Sequence, residues 1–305
     1  MDNLIGFIGL GRMGLPMAKN LTQKGFSLMV YDINEEPMQE LATYQARMAK
    51  DVAEIAQNCT TIITMLPDSN VVNEVIGGTE GVFTHSPSPR LIMDMSTIDP
   101  KTTDMLAEKA HMLGHGFVDA PVGRLASHAD RGESLFMVGA TDDQFSILKP
   151  MMEAMGSTIY HCGPVGSGVR TKLVNNFLAV ASCQFNAEAL SLAQSLGLNL
   201  EKTLDVIYGT TAFNGQLKIA WPDKVLAGDI SPGFTIDLAH KDLSLVMNAA
   251  HDVRVPLPMG AAAFEAFSSA RARGYGKADF SAMLDAHSSL AGHAAPRLKS
   301  SDEEA

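Results

Sequence analysis

Lys172 and Asn176 lie four residues apart in a run that opens at Gly166-Ser167-Gly168 and continues without a helix breaker past Leu190. On a helix that spacing stacks two side chains one turn apart on one face. A lysine ammonium delivers protons and an amide orients a polar group, so the pair is equipped for proton transfer to a small oxygenated substrate. The same residues also fit a Gly-rich helix start with a lysine whose stem lies along apolar surface and whose head stays in water. Spacing alone leaves both open.

A second constellation narrows the choice. Leu4-Ile5-Gly6-Phe7-Ile8 is a short apolar run of the kind buried on both faces of a parallel sheet, and it feeds Gly9-Leu10-Gly11-Arg12-Met13-Gly14. Leu15 to Leu21 then takes helical periodicity, and Ser27-Leu28-Met29-Val30-Tyr31 forms a second strand ending in Asp32. Strand, G-x-G-x-x-G, helix, strand and acid, in that order, predict a dinucleotide site. Its glycines let the backbone approach a pyrophosphate at a helix N-terminus, and Asp32 accepts from the adenosine ribose. A carboxylate there repels a 2′-phosphate, and Asn34-Glu35-Glu36 add negative charge without an Arg. NAD is therefore expected as cofactor, with NADH preferred over NADPH.

The elements that must position these groups follow from the rest of the chain. Thr60–Pro67, Leu91–Thr97, Phe117–Arg124, Leu135–Gly139 and Thr158–His161 read as further strands separated by helical stretches. This alternation predicts an α/β Rossmann-type doubly wound sheet over 1–164. Past Gly166 strand-like runs vanish, and helical periodicity covers 168–195, 200–208, 213–226, 235–251 and 258–273. An all-helical substrate and dimerisation domain is expected over 165–295, and a frayed polar tail over 296–305. A helix as long as 168–195 needs cover on several sides, and a partner chain could supply part of it.

Composition bounds the partners. The 305 residues are 46% hydrophobic, enough for one large or two ordinary cores. A net charge of −11 argues against binding nucleic acid, so an anionic substrate must find its positive charge locally. Cys59, Cys162 and Cys183 are too few and too scattered for a disulfide framework or a zinc site, and no metal is expected. No apolar run reaches the ~18 residues of a spanning helix. The sequence reads as a soluble cytoplasmic protein with no membrane role.

Taken together, Gly9–Gly14, Asp119-Ala120-Pro121-Val122, Gly166-x-Gly168-x-x-x-Lys172-x-x-x-Asn176 and Lys241-Asp242-Leu243 resemble the β-hydroxyacid dehydrogenases, the 3-hydroxyisobutyrate dehydrogenase-like family, over nearly the whole chain. The resemblance implies an NAD-dependent oxidoreductase acting on CH–OH groups and forming a homodimer or homotetramer. Lys172 would be general acid in reduction and base in the reverse direction, with its pKa lowered from the usual ~10.4. Asn176 would act beside it on the substrate hydroxyl, with Asn175 adjacent. Gly9, Gly11, Arg12, Met13, Gly14, Asp32, Met65, Leu66, Thr97 and Lys241 would hold the cofactor.

After Val122 most of the family continues Ser-Gly-Gly, whereas this chain reads Gly123-Arg124. A guanidinium fork grips a sulfonate or a carboxylate with parallel bonds. The Val-Gly-Arg variant resembles the family's sulfolactaldehyde reductases, as do Trp221-Pro222-x-Lys224-Val225-Leu226 and Ile236–Leu243. It implies NADH-dependent reduction of 3-sulfolactaldehyde to 2,3-dihydroxypropane-1-sulfonate, with Gly123 and Arg124 at the sulfonate. The rival readings are a reductase of succinic or tartronate semialdehyde, a 3-hydroxyisobutyrate-type dehydrogenase, and a dinucleotide-binding sensor without chemistry.

Overall fold

A computed structural model describes residues 4–298. The strands are β1 (Ile5–Ile8), β2 (Leu28–Tyr31), β3 (Arg47–Met48), β4 (Thr61–Thr64), β5 (Leu91–Asp94), β6 (Gly116–Asp119), β7 (Val122–Gly123), β8 (Ser134–Gly139) and β9 (Gly156–Gly163). They form one sheet in the order β3-β2-β1-β4-β5-β6-β8-β7, with β9 pairing β8. From β3 to β6 all pairings are parallel, while β8 runs antiparallel to β6 and β7. The expected doubly wound sheet is present, with two reversed strands, β8 and its parallel partner β9, at one end.

Successive residues of the central strands feed two separate cores. Ile5, Phe7, Leu28, Val30, Ile63, Met93 and Val118 enter one, and Ile8, Met29, Ile62, Ile92 and Phe117 enter the other. Alternation of side chains across a pleated strand puts these sets on opposite faces. Both faces are therefore dry, which is why the strands are unbroken apolar runs rather than alternating ones.

The second part of the chain is helical: Ser167–Ser195, Leu200–Tyr208, Ile236–Asp252, Pro258–Ala272 and Met283–Leu290. Trp221, Phe267, Leu243 and Leu226 lie fully buried in its core. The continuous helix expected over 213–226 is instead a π-turn, Gln216–Ala220, followed by a 3₁₀ turn, Val225–Ala227. Pro222 has no amide to extend the ladder, and Lys224 and Leu226 both donate to the Trp221 carbonyl, which tightens the chain into a turn.

The chain divides into two compact units between Lys172 and Leu173, within the long helix. The first turn of that helix goes with the sheet because Gly166 and Val169 donate to the Asp119 carboxylate at the end of β6. Among the described residues no helix is long and apolar enough to cross a membrane. His293 contacts the Ser191 and Ser195 hydroxyls, Arg297 pairs with Asp285, and Leu298 donates to the Leu226 carbonyl at 2.8 Å. The chain is thus tied down through Leu298, past the point at which the expected tail begins, and the rest of that tail, 299–305, lies outside the described residues.

Candidate functional site

The three glycines of the first βα turn serve three purposes. Gly9 has φ +94°, and a Cβ there would stand 2.3 Å from the Met65 carbonyl oxygen. A Cβ on Gly14 would stand 2.0 Å from the Gly9 carbonyl oxygen, so the helix Gly14–Gln23 starts pressed against the end of β1. Gly11, by contrast, is exposed and has nothing within 4 Å of such an atom, which leaves room for a group to approach the backbone. No side chain caps this helix and its first turn holds no acid, so its N-terminal amides and dipole suit a phosphate. Arg12 is exposed at the turn and Met13 is half-buried behind it.

Asp32 ends β2 beside this turn. One carboxylate oxygen accepts from the Leu10 amide at 2.7 Å and the other from the Asn34 amide at 2.8 Å. The carboxylate is thereby fixed against the glycine turn, with further lone pairs free to accept from a diol. A dinucleotide fits these residues: the cradle is open where a pyrophosphate must approach and closed where strand and helix must meet.

Along the same carboxyl edge, Met65 donates its amide to Ile8 and Leu66 donates its amide to the Ser96 hydroxyl at 2.9 Å. Ser96 in turn donates to Asp94 at 2.6 Å, as Thr64 does at 2.8 Å. Asp94 is 1% exposed, so this buried acid sets the two loops that carry Met65, Leu66 and Thr97 relative to each other.

Beyond β6 the chain turns through Ala120-Pro121 into β7, placing Gly123 buried against β8 and Arg124 exposed just past the strand. Arg124 has φ +74°, a left-handed conformation uncommon outside glycine. Its guanidinium donates to the Glu133 carbonyl at 2.6 Å, to the Ser157 hydroxyl at 2.9 Å and to the Thr158 hydroxyl at 3.1 Å. These bonds hold the cation on the carboxyl-end side of the sheet. Lys172 is half-buried, one turn into the long helix.

The helical unit gathers the remaining expected residues around one buried acid. Asn176, 6% exposed, donates its side-chain nitrogen to Asp242 at 2.6 Å, and Lys241 pairs with the other Asp242 oxygen at 3.1 Å. Asn175, exposed, donates to the Asn176 side-chain oxygen at 3.1 Å. An ionised carboxylate only accepts, so Asp242 dictates which way the Asn176 amide faces.

Residues 4–163 match the NAD binding domain of 6-phosphogluconate dehydrogenase, and residues 166–287 match the NAD-binding domain of NADP-dependent 3-hydroxyisobutyrate dehydrogenase. The chain belongs to the 3-hydroxyisobutyrate dehydrogenase-like family. It is 42% identical to the 3-sulfolactaldehyde reductase of Escherichia coli (strain K12) over 92% of its own length and 94% of that protein. It is 34% identical to the 2-(hydroxymethyl)glutarate dehydrogenase of Eubacterium barkeri over 94% and 96% of the two chains. Among solved structures it resembles Mycobacterium tuberculosis 3-hydroxyisobutyrate dehydrogenase with L-serine, at TM-score 0.86 and 29% identity, covering 93% and 98%.

As a member of the 3-hydroxyisobutyrate dehydrogenase-like family the chain is an oxidoreductase of hydroxyl and aldehyde groups with NAD(P)-binding domains. Sequence reasoning about this family member gave no role to the buried acids Asp94, Asp119 and Asp242. Each stood in a motif or strand already singled out. An acid inside or ending an apolar run, where burial is costly unless it is bonded, was the available signal.

Proposed function

We propose that the protein reduces 3-sulfolactaldehyde to 2,3-dihydroxypropane-1-sulfonate with NADH, in a reversible reaction. The observation that carries this reading is Arg124, an exposed guanidinium in a left-handed turn immediately after β7. The similarity to the sulfolactaldehyde reductase of Escherichia coli supports it. The nicotinamide supplies a hydride to the aldehyde carbon. Lys172 delivers the proton to the aldehyde oxygen and recovers one in the reverse direction, while Asn176 bonds that oxygen and Asn175 lies beside it. Gly123 gives a backbone without side-chain bulk, and Arg124 binds the sulfonate by exchanging bonds now made to Ser157 and Thr158. Lys241 contacts the cofactor. Asp32, with Glu35 and Glu36 in the following helical turn, favours a ribose diol over a 2′-phosphate.

A carboxylate semialdehyde is the second reading, because the same fork fits a carboxylate and one relative is named for a glutarate derivative. Initial rates on matched sulfonate and carboxylate aldehydes with NADH and NADPH decide between them. A higher kcat/KM for succinic or tartronate semialdehyde than for 3-sulfolactaldehyde overturns the first reading. Arg124→Gly is expected to raise the KM for 3-sulfolactaldehyde about 10- to 100-fold, as loss of one charge-assisted contact does. Glycine accepts φ +74° without strain, so the thermal midpoint should hold. An unchanged KM returns Arg124 to a structural role at the start of β9.

The long helix exposes Val174, Leu178, Phe185 and Leu192, between 43% and 65% accessible. An apolar stripe of this kind supports a homo-oligomer, dimer or tetramer. Light scattering that returns the mass of one chain removes this part of the reading. The free thiols Cys59, Cys162 and Cys183 suit a reducing cytoplasm.

A further inference from the structure

At the start of the long helix that carries Lys172, Gly166 has φ +89° and Ser167-Gly168 lack bulk, so its side-chain anchors are Val169, buried in the sheet's core, and Arg170, forked onto Asp104. Its backbone amides are held by Asp119, 2% exposed at the last position of β6. One Asp119 oxygen accepts from the Gly166 amide at 2.6 Å and the other from the Val169 amide at 2.7 Å. The carboxylate so spans the helix start, where unbonded amides and the positive end of the dipole favour an anion.

The space around that carboxylate is closed by two glycines. A Cβ on Gly139 would stand 2.3 Å from an Asp119 oxygen and 2.9 Å from the Gly168 amide. A Cβ on Gly168 would stand 2.3 Å from the Met137 carbonyl and 2.8 Å from that of Asp119. Gly168 and Lys172 are four apart on one helical face, so the contact that seats Gly168 on β6 and β8 also sets where Lys172 stands above the sheet.

Resting on the assignment of Lys172 as the proton donor, we propose that Asp119 is its positioning residue: the carboxylate clamps Gly166 and Val169 and so holds the lysine-bearing turn at the carboxyl edge of the sheet. The clamp works only with both oxygens accepting. A protonated carboxyl turns one oxygen into a donor facing an amide donor, and that bond is lost. Burial pushes the Asp119 carboxyl up to about 6, against the two amide bonds, which lower it, and with help from the Asp94 charge, which raises it. The charged groups facing it are Asp94 of β5, which accepts from Thr64 and Ser96, and Arg170, which forks onto Asp104. Both oxygens accept above about pH 6; below that value one amide bond is lost while the carboxyl stays buried, because a raised pKa means the closed site holds the proton more tightly than solvent does.

Asp119→Asn keeps the shape and replaces one acceptor by a donor. Expected with NADH and the faster of 3-sulfolactaldehyde and succinic semialdehyde is a kcat about 10- to 100-fold below wild type, with the NADH Kd unchanged. The wild-type kcat should show an acid limb near pH 6 that the variant lacks. In the cofactor-free protein, exchange at the Gly166 and Val169 amides, corrected for intrinsic rates, should be about tenfold faster in the variant. If Asp119→Asn does not fold, the wild-type acid limb and the kcat of Gly139→Ala, which displaces the carboxylate without discharging it, carry the test. A wild-type kcat and acid limb in Asp119→Asn, or Gly166 and Val169 exchange unchanged in that variant, overturns the proposal. Lys172→Ala run alongside separates the failures: if it is inactive while Asp119→Asn is normal, only the positioning role falls. If Lys172→Ala is active, the lysine assignment falls and the positioning role with it.

Discussion

Lys172→Ala should lower kcat by about 10²- to 10⁴-fold, the usual worth of a positioned general acid. The side chain is half-buried rather than part of the core, so the thermal midpoint should move little. The NADH Kd should also hold, because the proposed dinucleotide contacts, the glycine turn and Asp32, lie apart from this residue in sequence, and the bonds that fix Asp32 do not involve it. Loss of rate with retained folding and cofactor binding is the signature of a group acting in the transition state alone. Fluorescence titration with NADH and single-turnover rates measure the two quantities separately. A variant oxidising NADH at the wild-type rate with the preferred aldehyde would instead support a protein that binds the dinucleotide without using this lysine.

Gly14→Ala should weaken NADH binding about 100-fold or more and also lower stability by about 1–3 kcal/mol, the cost of overpacking a tight contact. The added methyl meets the Gly9 carbonyl oxygen at 2.0 Å, a backbone atom that cannot swing aside as a side chain would. The helix must therefore lift from the strand, carrying its N-terminal amides away from the phosphates. Gly11→Ala makes the contrast. Nothing lies within 4 Å of its new methyl, so the thermal midpoint of the cofactor-free protein should stay unchanged while NADH affinity falls. Calorimetric binding and thermal melts of both variants check this pair. Equal stability losses at the two positions would mean that Gly11 is a packing glycine and that the open face of the turn is not where the dinucleotide lies.

Two observations show how position, not residue type, divides the work of the acids. Asp32 is half-buried, with an amide on each oxygen and lone pairs to spare, which suits it to a ligand. Asp119 and Asp242 are 2% and 3% exposed and spend their oxygens on the protein itself. In the linear chain all three are acids close to an apolar run.

The sequence by itself determined the two-part organisation, the doubly wound sheet, the dinucleotide turn and the shared helical face of Lys172 and Asn176. Each rests on spacing within a short window: strand runs buried on both faces, glycines two and three apart, a four-residue helical repeat. The reversal of β8, the bending of 213–226 into turns and the bonds of Arg124 to Ser157 and Thr158 were decided by tertiary structure. So was the discovery that Asp119 reaches Gly166 and Val169, 47 and 50 residues away. Such bonds depend on which strand ends beside which helix start, and composition and periodicity carry no information about contacts at that separation. A buried carboxylate with two amides aimed at it becomes visible only once the sheet has brought them to one edge.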